Sequence, residues 1–452
     1  MKNTSQQDIV ITAFKKGESQ AVKARAGSGK TSTLVSALQC APPSTLSVAF
    51  NKATALELEA RMPSHVVSKT MNSLGHTAWV KHVGKQVKLD TKKLFTLFNT
   101  YPHVKQLRED VMDIVKLVRL AKAAGINSGY NLPPPDKEDW LAIAEAHDII
   151  EPEGLLPHAE WLLHENCKTA FQGLIDFDDQ IYMSVKYRSV FTKYASVAVD
   201  EAQDLSPLQH IMIERSMRPD AQLTVVGDPA QAIYGFRGAS SSSFQDFVRK
   251  FNLKVNPLTA SFRCPRAVVR EAQKYVQDIE AAGTVEGHVS TISGPITPQA
   301  GYTVLCRTNA PLIKLAFESL RKHIPPNYLG RDFMSGLKAL HKKYPTVGKL
   351  EGWAEAERGK AKSDAAKARV EDRYQSMQTL HATGDVDKAL EKLLATPKEG
   401  ALTLSTIHKI KGKEALKVIY FDYFNEWIGA QEDNIKYVGV TRSQDELFLH
   451  KK

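Results

Sequence analysis

Short apolar runs rich in Val, Ile and Leu recur along the chain, separated by stretches long enough to hold a helix. "AVKARA" starts at 21, "TLSVAF" at 45, "SVAVD" at 196, "LTVVGD" at 223, "YTVLCR" at 302 and "KVIYFDYF" at 417. Between many of them the apolar spacing becomes helical, as in "NKATALELEARM" and "PRAVVREAQKYV". Continuous apolar runs suit strands covered on both faces, so the alternation predicts an α/β protein with parallel sheets flanked by helices.

Three stretches break the rhythm. Residues 77–165 carry the amphipathic run "VKQLREDVMDIVKLVRLAKAAG" and then the turn-rich "NLPPPDKEDW". Residues 341–398 are Ala-rich with mixed charge, as in "GWAEAERGKAKSDAAKARVEDRYQSM", and read as a surface helix pair or a linker. The "GASSSS" at 238–243 reads as a loop leading into the helix "FQDFVRKF". No repeat is visible.

At 452 residues the chain is long enough for two to four domains. Lys and Arg number 60 against 50 Asp and Glu, and the net charge of +10 favours an anionic partner such as nucleic acid. Cys40, Cys167, Cys264 and Cys306 are too scattered for a metal motif or a disulfide framework, so reduced thiols are expected. No apolar run approaches a membrane span, and "MKNTSQQDIV" lacks a signal-peptide core. The expected location is the cytoplasm, of a bacterium or of a phage-infected cell, with no membrane partner.

The chemistry concentrates in two places. "ARAGSGKTS", 24–32, follows a strand pattern and opens a helical one. Its glycine-rich turn would aim backbone N–H groups at phosphate oxygens, Lys30 would add a mobile positive charge, and the Thr31 hydroxyl could ligate Mg2+. Ala24 stands where the usual pattern has its first glycine. In "VAVDEAQD", 197–204, an apolar strand delivers Asp200 to its C-terminal end with Glu201 beside it. These carboxylates would hold the metal and orient the attacking water, or else form a solvated turn capping a helix. In "KHVGKQVKLDTKK", Lys81, Lys85, Lys88, Lys92 and Lys93 face only Asp90, which suits a phosphate-neutralising patch or a solvated face.

Ten blocks then fall in a familiar order: "AGSGKT", "AFNKATALELEARM", "TMNSLG", "DFDD", "VDEAQD", "GDPAQAIYGFRGA", "SFRC", "VLCRTN", "STIHKIKGKE" and "YVGVTR". The chain thereby resembles the UvrD/Rep/PcrA-like group of superfamily 1 (1A) DNA helicases. The resemblance implies two RecA-like P-loop domains with parallel sheets, formed by residues 1–76 with 166–255 and by 256–340 with 399–452. A helical insertion falls in each: 77–165, which contacts DNA, and 341–398, reduced relative to larger members.

The resemblance also implies ATP and Mg2+, with Lys30, Glu201, Gln231, Arg263 and Arg442 acting on the phosphoryl group. The nucleotide would be held by Ala26, Gly27, Ser28, Gly29, Lys30, Thr31 and Ser32, with Gln7 on the adenine edge, Phe262 on its face and Glu414 at the ribose. Thr31 and Asp200 would serve the metal. The DNA contacts implied are Phe50, Asn51, Asn72, Ser73, Tyr234, Phe236, Thr406 and His408, with Tyr234 open to core packing instead and Arg237 tying its loop down. Phe236 would stack on a base, an interaction that tolerates any sequence. The implied activity is ATP-dependent translocation on single-stranded DNA with 3′ to 5′ separation of tailed duplexes, alongside replication or repair proteins. A translocase that strips proteins from DNA is the alternative. An ATP-gated scaffold would require decayed catalytic residues, and all of them are present.

Overall fold

The apolar runs at 21, 45, 196 and 223 become four neighbouring strands of one six-stranded sheet in the computed structural model. It describes residues 3–49, 52–107, 110–147, 149, 152–233, 242–361, 364–395, 399–421 and 432–451. Across this sheet the order is Val66–Thr70, Thr45–Ala49, Tyr194–Val199, Met217–Gly227, Gln20–Ala24 and Lys254–Leu258, with every pairing parallel. The interior strand Thr45–Ala49 is buried at all five positions, which is why its sequence shows no polar alternation. The outermost strands, "VVSKT" and "KVNPL", are partly exposed and carry too little apolar signal to stand out.

The second sheet is also six-stranded and parallel. Its order is His288–Ser293, Ser443–Lys451, Ala415–Phe421, Thr303–Cys306, Leu402–Thr406 and Pro326–Leu329. The chain divides into two compact units, residues 1–24 with 29–258 and residues 25–28 with 259–452. The fold is therefore α/β with two parallel sheets.

Residues 341–398 hold three helices, Val347–Lys360, Asp364–His381 and Val386–Leu394, rather than a surface pair or a linker. Helices Val347–Lys360 and Asp364–His381 bury Leu350, Met377 and Leu380 in the same core as Val304 and Leu404 of the second sheet. The pair also supplies a cap. The Asp372 carboxylate accepts hydrogen bonds from the Asn309 and Ala310 backbone N–H groups, both at 2.7 Å, and from Asn309 Nδ2 at 2.8 Å. Those N–H groups begin helix Ala310–Arg321, whose N-cap Asn309 makes no side-chain cap of its own.

A buried ionic cluster fastens the first insertion to helix Phe177–Lys186. Lys122 Nζ donates to Asp176 Oδ2 at 2.6 Å and to Asp179 Oδ1 at 2.9 Å. Lys93 Nζ donates to Asp179 Oδ2 at 2.7 Å and to the Asn166 carbonyl at 2.8 Å. Asn166 Nδ2 also reaches Asp179 Oδ1, at 2.7 Å. Asp176 and Asp179 further close a capping box on the helix they begin. Lys93 thus leaves the lysine patch: it is fully buried, whereas Lys81, Lys85, Lys88 and Lys92 are exposed.

Burial opposes every charge in this cluster, and the partners decide the outcome. Burial and the neighbouring Asp179 push Asp176 up to about 6 against the pull of Lys122. For Asp179 burial works the same way, yet Lys122 and Lys93 hold it well below the ordinary carboxylate range. Removing one member of a buried ion set leaves the others uncompensated, at a cost of about 3–5 kcal/mol. Asp179→Asn should therefore lower the melting temperature of the first unit by roughly 10 °C, using about 2–4 °C per kcal/mol for a unit of this size. A calorimetric scan of the two proteins checks this, and an unchanged transition would show the cluster to be incidental.

Candidate nucleotide site and nucleic-acid face

Three adjacent parallel strands, Tyr194–Val199, Met217–Gly227 and Gln20–Ala24, end on the same edge of the first sheet. The glycine-rich loop leaves the last of them. Gly27 and Gly29 have φ of 73° and 77°, values that side-chain-bearing residues rarely adopt. A Cβ on Gly27 would also fall 2.5 Å from Arg263 Cβ, so the position has neither the angle nor the room for another residue. Gly29 is the N-cap of helix Lys30–Leu38, and its carbonyl accepts the Thr33 N–H and hydroxyl, each at 2.9 Å. Ala26 and Ser28 are buried, Thr31 is half-buried and Ser32 is exposed. A helix start of this kind directs backbone N–H groups and positive potential at an anion.

Facing Lys30 across the edge is the turn after Val199. Asp200 is buried, its Oδ1 accepts the Glu201 N–H at 2.9 Å, and its own N–H reaches the Val48 carbonyl at 3.0 Å. Glu201 takes a left-handed backbone, φ 52° and ψ 41°, strained for a residue with a side chain. Its carboxylate accepts from Lys30 Nζ at 3.0 Å. Gln203 continues the chain of contacts, donating from Nε2 to the other Glu201 oxygen and accepting the Asp228 N–H on Oε1 at 3.1 Å. Asp228 in turn accepts from Gln231 Nε2 at 2.7 Å. Gly227 is fixed by this arrangement, because a Cβ there would meet Gln203 Oε1 at 2.5 Å.

Lys30, Asp200, Glu201 and Gln231, from three distant blocks, are thus brought together. Gln203 and Asp228, which join them, carry no role in the motif pattern although both sit inside its blocks. Side-chain amides that bridge two loops leave no spacing signal. Burial disfavours the Lys30 ammonium, but Glu201, Asp200 and Asp228 overcome it and raise its pKa above the ordinary value. Burial and then the Glu201 charge push Asp200 up to about 7, against the pull of Lys30.

The donor set suits Mg2+, which takes one or two carboxylates plus substrate phosphates rather than a protein cage. Thr31 and Asp200 supply a hydroxyl and a carboxylate. Among the described residues no group of three or more His, Cys, Asp or Glu side chains is arranged to hold a metal by itself. Gln7 is buried and its Oε1 accepts the Thr4 N–H at 2.9 Å, closing a capping box on helix Ser5–Lys15.

In the second unit Arg263 and Arg442 lie in one electrostatic neighbourhood. Arg442 is buried, donating from Nε to the Val438 carbonyl at 2.9 Å, from Nη1 to the Lys413 carbonyl at 3.3 Å and from Nη2 to the Thr441 hydroxyl at 3.2 Å. Burial and the positive charge of Arg263 pull it down to about 10. Arg263 ion-pairs with Glu414, the residue expected at the ribose. Phe262, expected on the adenine face, is half exposed, at 48%.

Of the expected DNA contacts, Ser73 is exposed and Asn72 half-buried on helix Met71–Val83, while Thr406 and His408 are half-buried at the end of strand Leu402–Thr406. Asn72 Nδ2 donates to the Phe177 carbonyl at 2.8 Å. That contact depends on Gly75, whose position lies so close to the Gln180 backbone carbonyl that a Cβ would sit 2.1 Å away. Phe177 itself is 52% exposed, an aromatic face beside Asn72 to which the motif pattern gives no role. Phe50, Asn51, Tyr234, Phe236 and Arg237 lie outside the described residues. So do the other residues from 234 to 241.

A glycine-rich loop set against a strand-end acidic pair makes this edge a candidate phosphate-loop nucleotide site. The sequence profile of the UvrD/REP helicase N-terminal domain matches residues 2–252, and the chain belongs to the UvrD/REP helicase family. It is 27% identical to F-box DNA helicase protein 1 of Schizosaccharomyces pombe, in an alignment covering 99% of this chain and 57% of that protein. Identity to the ATP-dependent DNA helicase UvrD2 of Mycobacterium tuberculosis is 26% over 61% of this chain and 43% of the relative. With DNA helicase II of Escherichia coli it is 27% over 51% of this chain and 34% of the relative. The chain therefore spans between about a third and three fifths of the length of these relatives.

The charge balance around Asp200 gives a signed pH dependence. Its folded value of about 7 lies above the ordinary 3.8, so the fold holds the proton more tightly than the unfolded chain does. Its contribution to stability accordingly falls as pH rises between those values. Lys30→Met removes the cation that limits this loss. In nucleotide-free protein with a chelator, the melting-temperature gap between parent and Lys30→Met should widen from about pH 5 to about pH 8. A gap that narrowed over this range would refute the electrostatic assignment.

Proposed function

We propose that the chain is an ATP-driven motor that moves along single-stranded DNA and separates tailed duplexes in the 3′ to 5′ direction. The observation that carries this reading is the continuous contact line Lys30, Glu201, Gln203, Asp228, Gln231 along one sheet edge. Membership of the UvrD/REP family supports it, as do the names of the relatives, which are DNA helicases.

In this reading the triphosphate lies over the glycine-rich loop. Mg2+ at Thr31 and Asp200 neutralises phosphate charge when bound. The phosphate also competes with Glu201 for Lys30. A Glu201 carboxylate released from that pair is free to orient the attacking water, and Gln203 keeps it aligned. Gln231, joined to the same line through Asp228, senses the terminal phosphate with a neutral amide. Arg263 and Arg442 answer the negative charge that spreads over the equatorial oxygens as the bond breaks. Burial first, and then the charge of Arg263, lower Arg442, and an arriving anion would offset both. Asn72, Ser73 and Phe177 are the candidate DNA contacts of the first unit, with stacking contributing about 1–3 kcal/mol per ring, and Thr406 and His408 are those of the second.

Hydrolysis of ATP with and without single-stranded DNA tests the proposal, and marked stimulation is expected. Arg442→Ala should lower turnover by a factor of roughly a thousand or more while leaving single-stranded DNA binding in place. Parental hydrolysis by that variant would remove Arg442 from the role. Strand displacement on 3′-tailed and 5′-tailed duplexes then separates a helicase from a translocase that only clears proteins. Stimulated turnover without displacement on either substrate would establish the latter.

A further inference from the structure

The crown of the glycine-rich loop, Arg25–Ser28, packs with the second compact unit, and every contact described next lies within that unit. Arg25 is buried, and its guanidinium makes a two-pronged pair with Asp278, Nε to Oδ1 at 2.7 Å and Nη2 to Oδ2 at 2.8 Å. The Ala26 N–H donates to the Tyr437 hydroxyl at 3.0 Å. The Gly27 carbonyl accepts the Phe262 N–H at 2.8 Å. No step of the proposed cycle uses Asp278 or Tyr437.

Two of these partners stand on segments that carry an arginine of the site. Phe262 directly precedes Arg263, and Tyr437 lies on helix Glu432–Val440, just before Arg442. From Tyr437 the contacts run on to both guanidinium groups. The Tyr437 carbonyl accepts the Thr441 hydroxyl at 2.7 Å, and Thr441 Oγ1 accepts from Arg442 Nη2 at 3.2 Å. The Thr441 carbonyl accepts from Arg263 Nη1 at 3.4 Å, so both arginines meet the same residue. Tyr437 is wholly buried, and packing fixes where its hydroxyl stands.

A shift of the loop that withdraws the Ala26 N–H from Tyr437 parts two buried polar groups, which is costly, so loop and helix favour moving together. The Arg25–Asp278 pair adds a constraint on orientation, because a bidentate guanidinium–carboxylate contact fixes angle as well as distance. We propose that Tyr437 and Asp278 are positioning residues, which tie the crown of the phosphate loop to Arg263 and Arg442 so that the place of the loop sets the place of both guanidinium groups. The inference rests on the motor reading, in which those arginines answer the charge of the breaking bond. A group that acts only in the transition state governs turnover and not the affinity for ATP, so misplacing it lowers kcat and leaves KM nearly unchanged.

Steady-state ATP hydrolysis by the full chain, with and without saturating oligothymidylate, tests this. Tyr437→Phe keeps the ring and removes only the hydroxyl, and it should lower kcat by roughly tenfold while KM for ATP stays within about twofold. In an Arg442→Ala background the same substitution should cost much less, since a residue it serves is gone. Asp278→Ala should lower kcat several-fold, and Asp278→Glu, which restores a carboxylate, should recover most of it. This second pair decides the matter by itself if Tyr437→Phe does not fold, because Asp278 is on the exposed side of its contact. A parental kcat in Tyr437→Phe or in Asp278→Ala overturns the proposal, as does a full tenfold loss from Tyr437→Phe on top of Arg442→Ala, which marks a general structural defect. Parental hydrolysis by Arg442→Ala is a different failure, that of the arginine role in the motor reading. A parent protein without stimulation by oligothymidylate likewise counts against the motor, while the ratio of basal rates still decides the positioning role.

Discussion

The common direction of three adjacent strands governs the nucleotide site. In a parallel sheet every strand delivers its outgoing loop to the same edge, so neighbours in the sheet become neighbours in chemistry however far apart they lie in the chain. Residues 24–30, 200–203 and 228–231 meet for that reason. Once they meet, electrostatics restricts what can occupy the edge. A buried carboxylate beside a half-buried one calls for a nearby cation, and Lys30 is that cation. An anion that displaces Glu201 from Lys30 alters the whole line at once, because Gln203 and Asp228 transmit the contact to Gln231.

Buried charge is used a second time, for construction. The cluster of Lys93, Lys122, Asp176 and Asp179 joins helices of the first insertion to the helix that carries Phe177. Such a cluster contributes little net stability compared with apolar packing, but its geometry permits few alternative registers. Together with Gly75, it sets where the exposed Phe177 ring stands relative to Asn72. The insertion and the candidate track face are therefore coupled through ions, not through apolar contact alone.

The second insertion plays a comparable part in its own unit. Its helices bury Leu350, Met377 and Leu380 in the core, and Asp372 completes a helix that begins in another block. A segment so built in cannot be removed without exposing apolar surface and leaving backbone N–H groups unpaired.

The sequence by itself determined the fold class and six of the eight interior strands of the two large sheets, and it marked Lys30, Thr31, Asp200 and Glu201 as candidates. These are legible because burial on both faces writes a continuous apolar run, and because glycines at fixed offsets are demanded by backbone angles. Only the tertiary structure decided that Lys93 is interior, that Gln203 and Asp228 bridge the site and that the helices of residues 341–398 pack into the second core. Each of those facts is a pairing between residues far apart in the chain, or a choice between exposed and buried for a side chain that suits both. A lysine in a basic run looks the same whether it faces water or Asp179. Partners settle the difference, and partners are assigned by the fold.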